Sequence, residues 1–198
     1  MSPSRLRGFA AAVVSSLLIG GTTAAVIALP VVPFQSIFQA EAGARWIDRA
    51  AQAQAESKFN PRAVSMVRGK DGQLHPCAYG LCQFTPEAWG DWAPKGADPY
   101  DPAAAIKAQC RYMPWLEARV DGELDPALGG YNAGLGNVLK AQRLAAQLGL
   151  PGDHAWLVAL VRVTGKDNAA QTAGYLKNNA YNRATIRRKV AAAMNGAE

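Results

Sequence analysis

Hydrophobic positions along this chain follow two patterns: one long uncharged run near the N-terminus and short helical stripes after it. Residues 8–40 carry no charge, and 17 of the 24 positions from Phe9 to Val32 are hydrophobic. A membrane-spanning helix needs roughly 20 mostly apolar residues, so the run is long enough. Arg5 and Arg7 precede it and should stay in the cytoplasm. We therefore predict a signal anchor over residues 1–33, with a cleaved signal peptide as the alternative.

Residues 43–198 show helical spacing and no sustained period-two pattern, which predicts a single all-α domain. Ile47, Ala51 and Ala55 form one helical face, and Asn60-Pro61 ends that helix. A capping residue followed by proline predicts helix starts at three places. They are Thr85-Pro86, Asp101-Pro102 and Asp125-Pro126.

Further along the chain, Gly149 predicts the stop of a helix that begins near Asn137. Residues 69–76 lack periodicity and are predicted to form a loop. Two last helices are predicted over Ala169–Asn178 and Arg183–Met194, and Pro114 should kink the helix that follows Asp101.

The net charge and the number of cysteines limit which partners, metal sites and disulfides are expected. The net charge of +6 and the pI near 9.4 favour an anionic partner such as a membrane surface or an acidic wall polymer. The basic residues near the C-terminus lack interleaved aromatics, so no nucleic-acid partner is predicted. With three Cys and two His, neither a metal site nor a cofactor is expected. One disulfide is predicted, of Cys77 or Cys82 with Cys110, and three reduced thiols are the alternative.

Glu56 is the first candidate for chemistry. It lies in the last turn of an apolar-faced helix, where the negative end of the helix dipole disfavours its ionised form. Apolar neighbours such as Phe59 and Tyr131, if they close over it, disfavour that form too. A glutamate that stays protonated near neutral pH suits a general acid.

Four short motifs in a fixed order surround this glutamate in the sequence. They are Glu56–Ser65 (ESKFNPRAVS), Gly80–Pro86 (GLCQFTP), Ala127–Gly134 (ALGGYNAG) and Gln171-Thr172 with Tyr175. Together with the stretch Asp98–Pro102 they resemble the catalytic domain of soluble-lytic-transglycosylase-type enzymes. The resemblance implies an all-α, lysozyme-like fold of the goose-type superfamily over residues 43–198. It also implies cleavage of the MurNAc-β-1,4-GlcNAc bond of peptidoglycan with formation of 1,6-anhydro-MurNAc ends.

The same resemblance assigns roles to individual residues. Glu56 is the sole acid/base, with no metal, cofactor or second carboxylate, and Tyr131 orients it through its hydroxyl. Gln83 hydrogen-bonds the N-acetylated sugar, and Tyr175 closes the cleft over the reacting ring. The remaining substrate-groove candidates are Ser65, Tyr79 and Asn132.

One departure from the family pattern leaves the product open. The chain between Ser65 and Gly80 is longer than the family's short turn, and Asp71 within it is a candidate for placing a water. That would make the protein a hydrolytic muramidase of the same fold. A third hypothesis is a non-catalytic wall-binding or assembly component.

The predicted location is the inner membrane, reached through residues 9–32, or export, with the catalytic domain in the periplasm as a monomer. The small residues of the N-terminal run resemble signal-arrest-release segments of phage endolysins, which favours phage lysis of the host wall. A wall-remodelling component of a secretion or conjugation machine, or of a virion, is the alternative.

Overall fold

A computed structural model describes residues 30–195, and this part of the chain is mostly helical. The helices in chain order are α1 (Gln35–Ala42), α2 (Trp46–Ser57), α3 (Pro86–Trp92), α4 (Pro102–Glu117), α5 (Leu124–Ala133), α6 (Leu135–Gln147), α7 (Ala155–Thr164) and α8 (Lys166–Asn195). A short 3₁₀ turn, Gly43–Arg45, joins α1 to α2, and strands β1 (Val64–Arg68) and β2 (Leu74–Tyr79) form an antiparallel hairpin.

Two of the three predicted cap-and-proline helix starts are confirmed. The side chains of Thr85 and Asp101 accept backbone N–H bonds at the starts of α3 and α4, and a proline follows each. The third prediction is wrong by two positions, because α5 begins at Leu124 and its N-cap is Glu123. The carboxylate of Asp125 instead contacts Arg183 of α8 at 3.4 Å and His154 at 3.2 Å. The Asp125 side chain therefore pairs with residues distant in the sequence and does not cap α5.

The predicted loop over residues 69–76 is confirmed for residues 69–73, which form the turn of the hairpin, and is wrong for residues 74–76, which belong to β2. Met66 pairs with Pro76 and Arg68 pairs with Leu74. Every residue of β1 is exposed, so the strand has no buried face. Period-two alternation arises only where one face of a strand is buried, which explains why the sequence pattern gave no strand signal.

The two predicted C-terminal helices are one continuous helix, α8. Asn179 and Asn182 lie at the predicted break, but their side-chain amides donate to the carbonyls of Tyr175 and Ala51. No glycine or proline interrupts the stretch between them, so the helix continues. In α4, the helix likewise runs on through Pro114 to Glu117.

The end of α6 follows the prediction closely. Gly149 takes a positive φ of 61°, and the N–H of Leu150 bonds to the carbonyl of Ala145. The N–H of Gly149 bonds to the carbonyl of Ala146, which completes a Schellman cap.

Two hydrophobic clusters fill the interior of the described part. The first lies among α4, α5, α6, α7 and the first half of α8. The second joins α1, α2 and the start of α4 to the segment from Leu81 to Phe84 and to Ile186. Tyr131 packs against both clusters. Ala55 of α2 packs against the first cluster and Ala53 belongs to the second, so the C-terminal end of α2 also lies at the boundary between the clusters.

The folded part begins before residue 43, where the catalytic domain was predicted to start. Phe38 of α1 is completely buried, and Val32 is nearly so. The predicted membrane segment over residues 9–32 falls, up to residue 29, outside the described residues. Among residues 30–195, no helix combines the length and apolar character needed to cross a membrane.

The predicted disulfide is absent from the structure. Cys77, Cys82 and Cys110 are all free, with Cys82 buried and the other two partly buried. The sequence alternative of three reduced thiols is the arrangement observed.

Candidate active site

The C-terminal end of α2 presents Glu56 at the boundary of the two clusters. The helix ends because Lys58 and Phe59 both adopt left-handed backbone angles, with φ of 55° and 63°. Ser57 secures this end by donating its hydroxyl to the carbonyl of Leu81 at 2.7 Å. The glutamate is thereby attached to the turn that follows β2. Sequence reasoning missed this role of Ser57.

Glu56 is held by one direct side-chain contact. The hydroxyl of Tyr175, from α8, donates to its Oε1 at 2.6 Å. Burial raises the pKa of Glu56 to about 8, and the Tyr175 hydrogen bond opposes the shift. The residue keeps part of its surface in contact with solvent. A protonated carboxyl that solvent, and hence substrate, can reach is the chemistry expected of a general acid.

The structure corrects the partner predicted for this glutamate. Tyr131 was expected to orient Glu56, but its hydroxyl donates to the carbonyl of Cys82 at 2.7 Å. Its ring packs edge-on against Phe84, with centroids 5.7 Å apart. A phenol has a single proton to donate, so Tyr131 fixes the turn beside Glu56 while Tyr175 makes the contact.

Gln83 braces two loops of the site. Its amide nitrogen donates to the carbonyls of Gly80 at 2.8 Å and Ala63 at 3.1 Å. Its amide oxygen accepts from the hydroxyl of Ser65 at 2.6 Å. Both N–H groups of the Gln83 amide already donate, so Gln83 can only accept a hydrogen bond from a ligand. Ser65, predicted to line the groove, acts here as a partner of Gln83.

Gly80 permits the close approach that this turn requires. Its φ is +75°, and a Cβ placed on it would lie 2.1 Å from the carbonyl oxygen of Pro99. Its N–H bonds to the carbonyl of Ala63 at 2.8 Å. Any side chain here would separate the two loops that Gln83 joins.

The remaining predicted groove residues lie around this centre. Asn132 accepts a hydrogen bond from the hydroxyl of Thr172 at 3.0 Å, which ties α5 to α8. Both residues line a cavity of about 240 Å³ whose lining carries no charged side chain. Tyr79, at the end of β2, is half-buried and packs edge-on against Tyr100.

Asp71 lies in the turn of the hairpin. Its carboxylate contacts Nε2 of His75 at 2.8 Å and the backbone N–H of Gln73 at 3.0 Å. From Ser65 to the end of β1 the strand advances roughly 10 Å. Asp71 follows that end, and no hydrogen bond within residues 30–195 joins its carboxylate to Glu56.

The environment of Glu56 also includes a residue that sequence reasoning missed. Gln52 precedes Glu56 by one helical turn of α2 and is completely buried. Gln52 lies in the same i, i+4 row as Asp48 and Glu56, which is polar, so helical spacing gave no signal of its burial. Within residues 30–195, no group of three or more His, Cys, Asp or Glu side chains is placed to hold a metal ion.

Comparisons with known proteins agree with this geometry. The sequence profile of the family described as "Transglycosylase SLT domain" matches residues 49–149, which include Glu56, Gln83 and Tyr131. The chain is 35% identical over 118 residues to the membrane-bound lytic murein transglycosylase F of Pasteurella multocida. It is 36% identical over 118 residues to the protein of that name from Mannheimia succiniciproducens. Each alignment covers 57% of this chain and 22% of the relative.

Among solved structures, the 70 kDa soluble lytic transglycosylase Slt70 of Escherichia coli is similar, with a TM-score of 0.58 and 22% sequence identity. The superposed region covers 78% of this chain and 24% of Slt70. This likeness concerns the fold. The chain spans about a fifth of the length of the curated relatives it matches.

Proposed function

Since this chain belongs to the transglycosylase SLT domain family, we propose that it cleaves peptidoglycan glycan strands as a lytic transglycosylase. The bond cut is the β-1,4 bond between MurNAc and GlcNAc, and the product carries a 1,6-anhydro-MurNAc end. The observation that carries the proposal is the Glu56 carboxyl, whose pKa burial raises to about 8 and which receives a hydrogen bond from Tyr175 at 2.6 Å.

The proposed reaction uses one carboxyl group twice. Tyr175 donates to Oε1 of Glu56, which leaves the acid proton on Oε2 free for the glycosidic oxygen. Once the bond breaks, the positive charge on the sugar is shared with its own N-acetyl group. The Glu56 carboxylate then accepts a proton from the muramoyl C6 hydroxyl, which attacks C1 and closes the ring. The glutamate ends the cycle protonated, ready for the next strand.

The charge environment supports a single-carboxylate mechanism. Burial and the Tyr175 hydrogen bond are the influences that shift the pKa of Glu56, and no neighbouring carboxylate of the described residues contributes. Ordinary glycosidases instead hold two carboxyl groups about 5–9.5 Å apart. The Asp71 carboxylate, predicted to place a water, contacts His75 in the hairpin turn and is not among the groups that shift the pKa of Glu56.

The proposed substrate contacts follow from unused hydrogen-bonding capacity. Oε1 of Gln83 keeps one lone pair, which suits the N–H of a sugar acetamido group. The uncharged cavity bounded by Asn132 and Thr172 suits neutral saccharide hydroxyls. Tyr79 and Ser65 complete the groove side near the hairpin. Tyr131 takes part through the turn that it holds at Cys82.

The proposal extends to the setting in which the enzyme works. The uncharged residues that precede Pro30 hold it at the inner membrane as a signal anchor, with the catalytic domain acting as a monomer in the periplasm. The uncharged run that follows Arg5 and Arg7 supports this. The anchor ends before residue 32, the predicted boundary, because Val32 is buried in the folded domain. Phage lysis of the host wall is the role that its small residues favour, with wall remodelling by a secretion or conjugation machine or a virion as the alternative. Recovery of only a trimmed, unattached form from the first minutes of expression would contradict the anchor.

Product analysis tests the activity. Purified peptidoglycan is digested with the full chain, and the muropeptides are examined by mass spectrometry with and without borohydride reduction. We expect 1,6-anhydro ends that borohydride does not reduce, and none from the Glu56→Gln protein. Reducing muramic acid ends would assign a muramidase instead. Absence of product from both proteins would leave a wall-binding or assembly role.

A further inference from the structure

We propose that Gln52 is a positioning residue that fixes the direction of the Tyr175 hydroxyl, so that this hydroxyl donates to Glu56 and leaves the acid proton of Glu56 free. The catalytic role of Gln52 rests on the proposed function. The hydrogen bonding itself can be tested without any activity.

The position of Gln52 is the first step of the argument. It lies four residues before Glu56 on α2, so the two side chains share one face of the helix. It is completely buried, yet neither its amide nitrogen nor its amide oxygen completes a hydrogen bond with a protein group in the described part of the chain. Buried polar groups are nearly always paired in folded proteins, so a buried amide of this kind calls for a partner.

Tyr175 is the partner that the surroundings offer. Its backbone is held by Asn179, whose amide donates to the Tyr175 carbonyl at 3.0 Å. Burial and the nearby Glu56 raise the pKa of its phenol, and Gln52 is among the groups that act in the opposite direction. An amide lowers the pKa of a phenol when its N–H faces the phenol oxygen. Two contacts between α8 and α2 lie on either side of Gln52: Asn182 donates to the carbonyl of Ala51 at 3.2 Å, and Tyr175 donates to Glu56 at 2.6 Å. The buried Gln52 amide therefore lies where α2 packs against α8, next to Tyr175.

The direction of the hydrogen bonds around Tyr175 decides whether the acid proton of Glu56 is available to the substrate. The Tyr175 oxygen can donate one proton and can also accept. If it accepted from Glu56, the acid proton would be spent on Tyr175 and would not reach the glycosidic oxygen. An N–H of Gln52 directed at the phenol oxygen occupies its acceptor side. The favoured chain then runs from Gln52 to Tyr175 to Glu56, each group donating to the next.

The other groups around Glu56 do not substitute for this chain. The Tyr131 hydroxyl is committed to the carbonyl of Cys82 at 2.7 Å. The Cys82 side chain is completely buried, and burial raises the pKa of its thiol well above the ordinary range. Tyr131, Cys82 and Tyr175 are the titratable side chains from α5, the Gly80–Thr85 segment and α8 that face Glu56. Only Tyr175 makes a hydrogen bond to it in the described residues.

The experiment measures the pKa of Glu56 by following its carboxyl carbon by NMR in the full chain labelled at glutamate. Gln52→Met removes the amide at nearly constant volume. Gln109→Met is the matched control, because Gln109 is also completely buried with an unpaired amide oxygen but bonds to the carbonyl of Arg49. Tyr175→Phe and the double variant complete a cycle.

The sign of each shift follows from the geometry. The Tyr175 bond favours the carboxylate, so Tyr175→Phe should raise the pKa of Glu56 by roughly one to two units. Gln52→Met should raise it by about 0.3 units, since cooperative strengthening is a fraction of one bond. Gln109→Met should leave it unchanged. In the Tyr175→Phe background, Gln52→Met should add nothing.

Two results would overturn the inference: an unchanged pKa in Gln52→Met, or a shift of equal size when Tyr175 is already phenylalanine. If Gln52→Met fails to fold, Gln52→Asn keeps the amide but shortens its reach, and the same shift is expected. Muropeptide release by the unaltered chain is recorded in parallel. Its absence would reject the proposed reaction and leave the hydrogen-bond result standing, and a lytic chain with no shift would reject only the role of Gln52.

Discussion

Replacing Glu56 by glutamine should stabilise the protein, and by an amount that depends on pH. Glutamine keeps the oxygen that accepts from Tyr175 and removes the ionisation. In the unfolded chain, Glu56 ionises near its ordinary value of 4.5, whereas in the folded chain its pKa is about 8. Between these values the folded state holds a proton that the unfolded state has released. Ionisation of the unfolded chain therefore lowers the free energy of unfolding progressively as pH rises from 4.5 to 8.

The magnitude follows from the size of the shift. Each unit of pKa corresponds to about 1.4 kcal/mol, so a pKa raised to about 8 costs the folded state at most about 5 kcal/mol above pH 8. At pH 7 the cost is about 3 kcal/mol, and at pH 5 it is below about 1 kcal/mol. Because solvent reaches part of Glu56, these figures are upper bounds. Even half of them is large against a usual total of about 5–15 kcal/mol.

Urea unfolding of the two proteins at pH 5, 6, 7, 8 and 9 measures the difference. The stability gain of Glu56→Gln should be small at pH 5, rise with pH and level off above pH 8. Glu41→Gln, at an exposed carboxylate at the end of α1, is the control and should show no such rise. A constant difference across the series would refute the claim that burial keeps Glu56 protonated.

Three substitutions test the geometry that holds Glu56 in place, each by chemical denaturation. Gly80→Ala should destabilise by at least about 2 kcal/mol, since its Cβ would lie 2.1 Å from the Pro99 oxygen; wild-type stability would contradict the packing. Lys58→Gly should stabilise by about 0.5–1 kcal/mol, because glycine takes φ 55° without strain; a loss would show that the lysine side chain contributes. Ser57→Ala should cost about 1 kcal/mol and slow lysis, through loss of the bond to Leu81; unchanged values for both would exclude that role.

The parts of the fold that could be predicted are those specified by neighbouring residues. Thr85-Pro86 and Asp101-Pro102 gave two helix starts because a cap and a proline act within one turn. Gly149 gave a helix end for the same reason. The helix start predicted at Asp125 was wrong because its carboxylate contacts His154 and Arg183, which lie 29 and 58 residues away. The exposed hairpin failed because a strand without a buried face carries no alternating pattern.

In the candidate site, too, only the features specified by neighbouring residues could be predicted. The last turn of α2 and its neighbours identified Glu56, because the helix end and its apolar face are local features. Which tyrosine reaches the carboxyl is decided by packing across 119 residues for Tyr175, against 75 for Tyr131. Both tyrosines occupy motif positions, so sequence spacing could not rank them. Gln52 was not predicted because it lies in the polar row of Asp48 and Glu56, and its burial depends on the position of α8.

Glu56 shares α2 with a buried cation, Arg49, and an ion pair limits the effect of that cation on the pKa of Glu56. Arg49 precedes Glu56 by seven residues, which places it on the same face about 10 Å along the axis. An unpaired cation at that distance would lower the pKa of Glu56 by about one unit at an effective dielectric constant of 20. Glu117 of α4 takes up that charge, since its Oε1 lies 2.9 Å from Nη2 of Arg49. The ion pair offsets that effect, and Arg49 is not among the groups that shift the pKa of Glu56. A buried arginine two turns away is therefore compatible with a pKa of about 8 for Glu56.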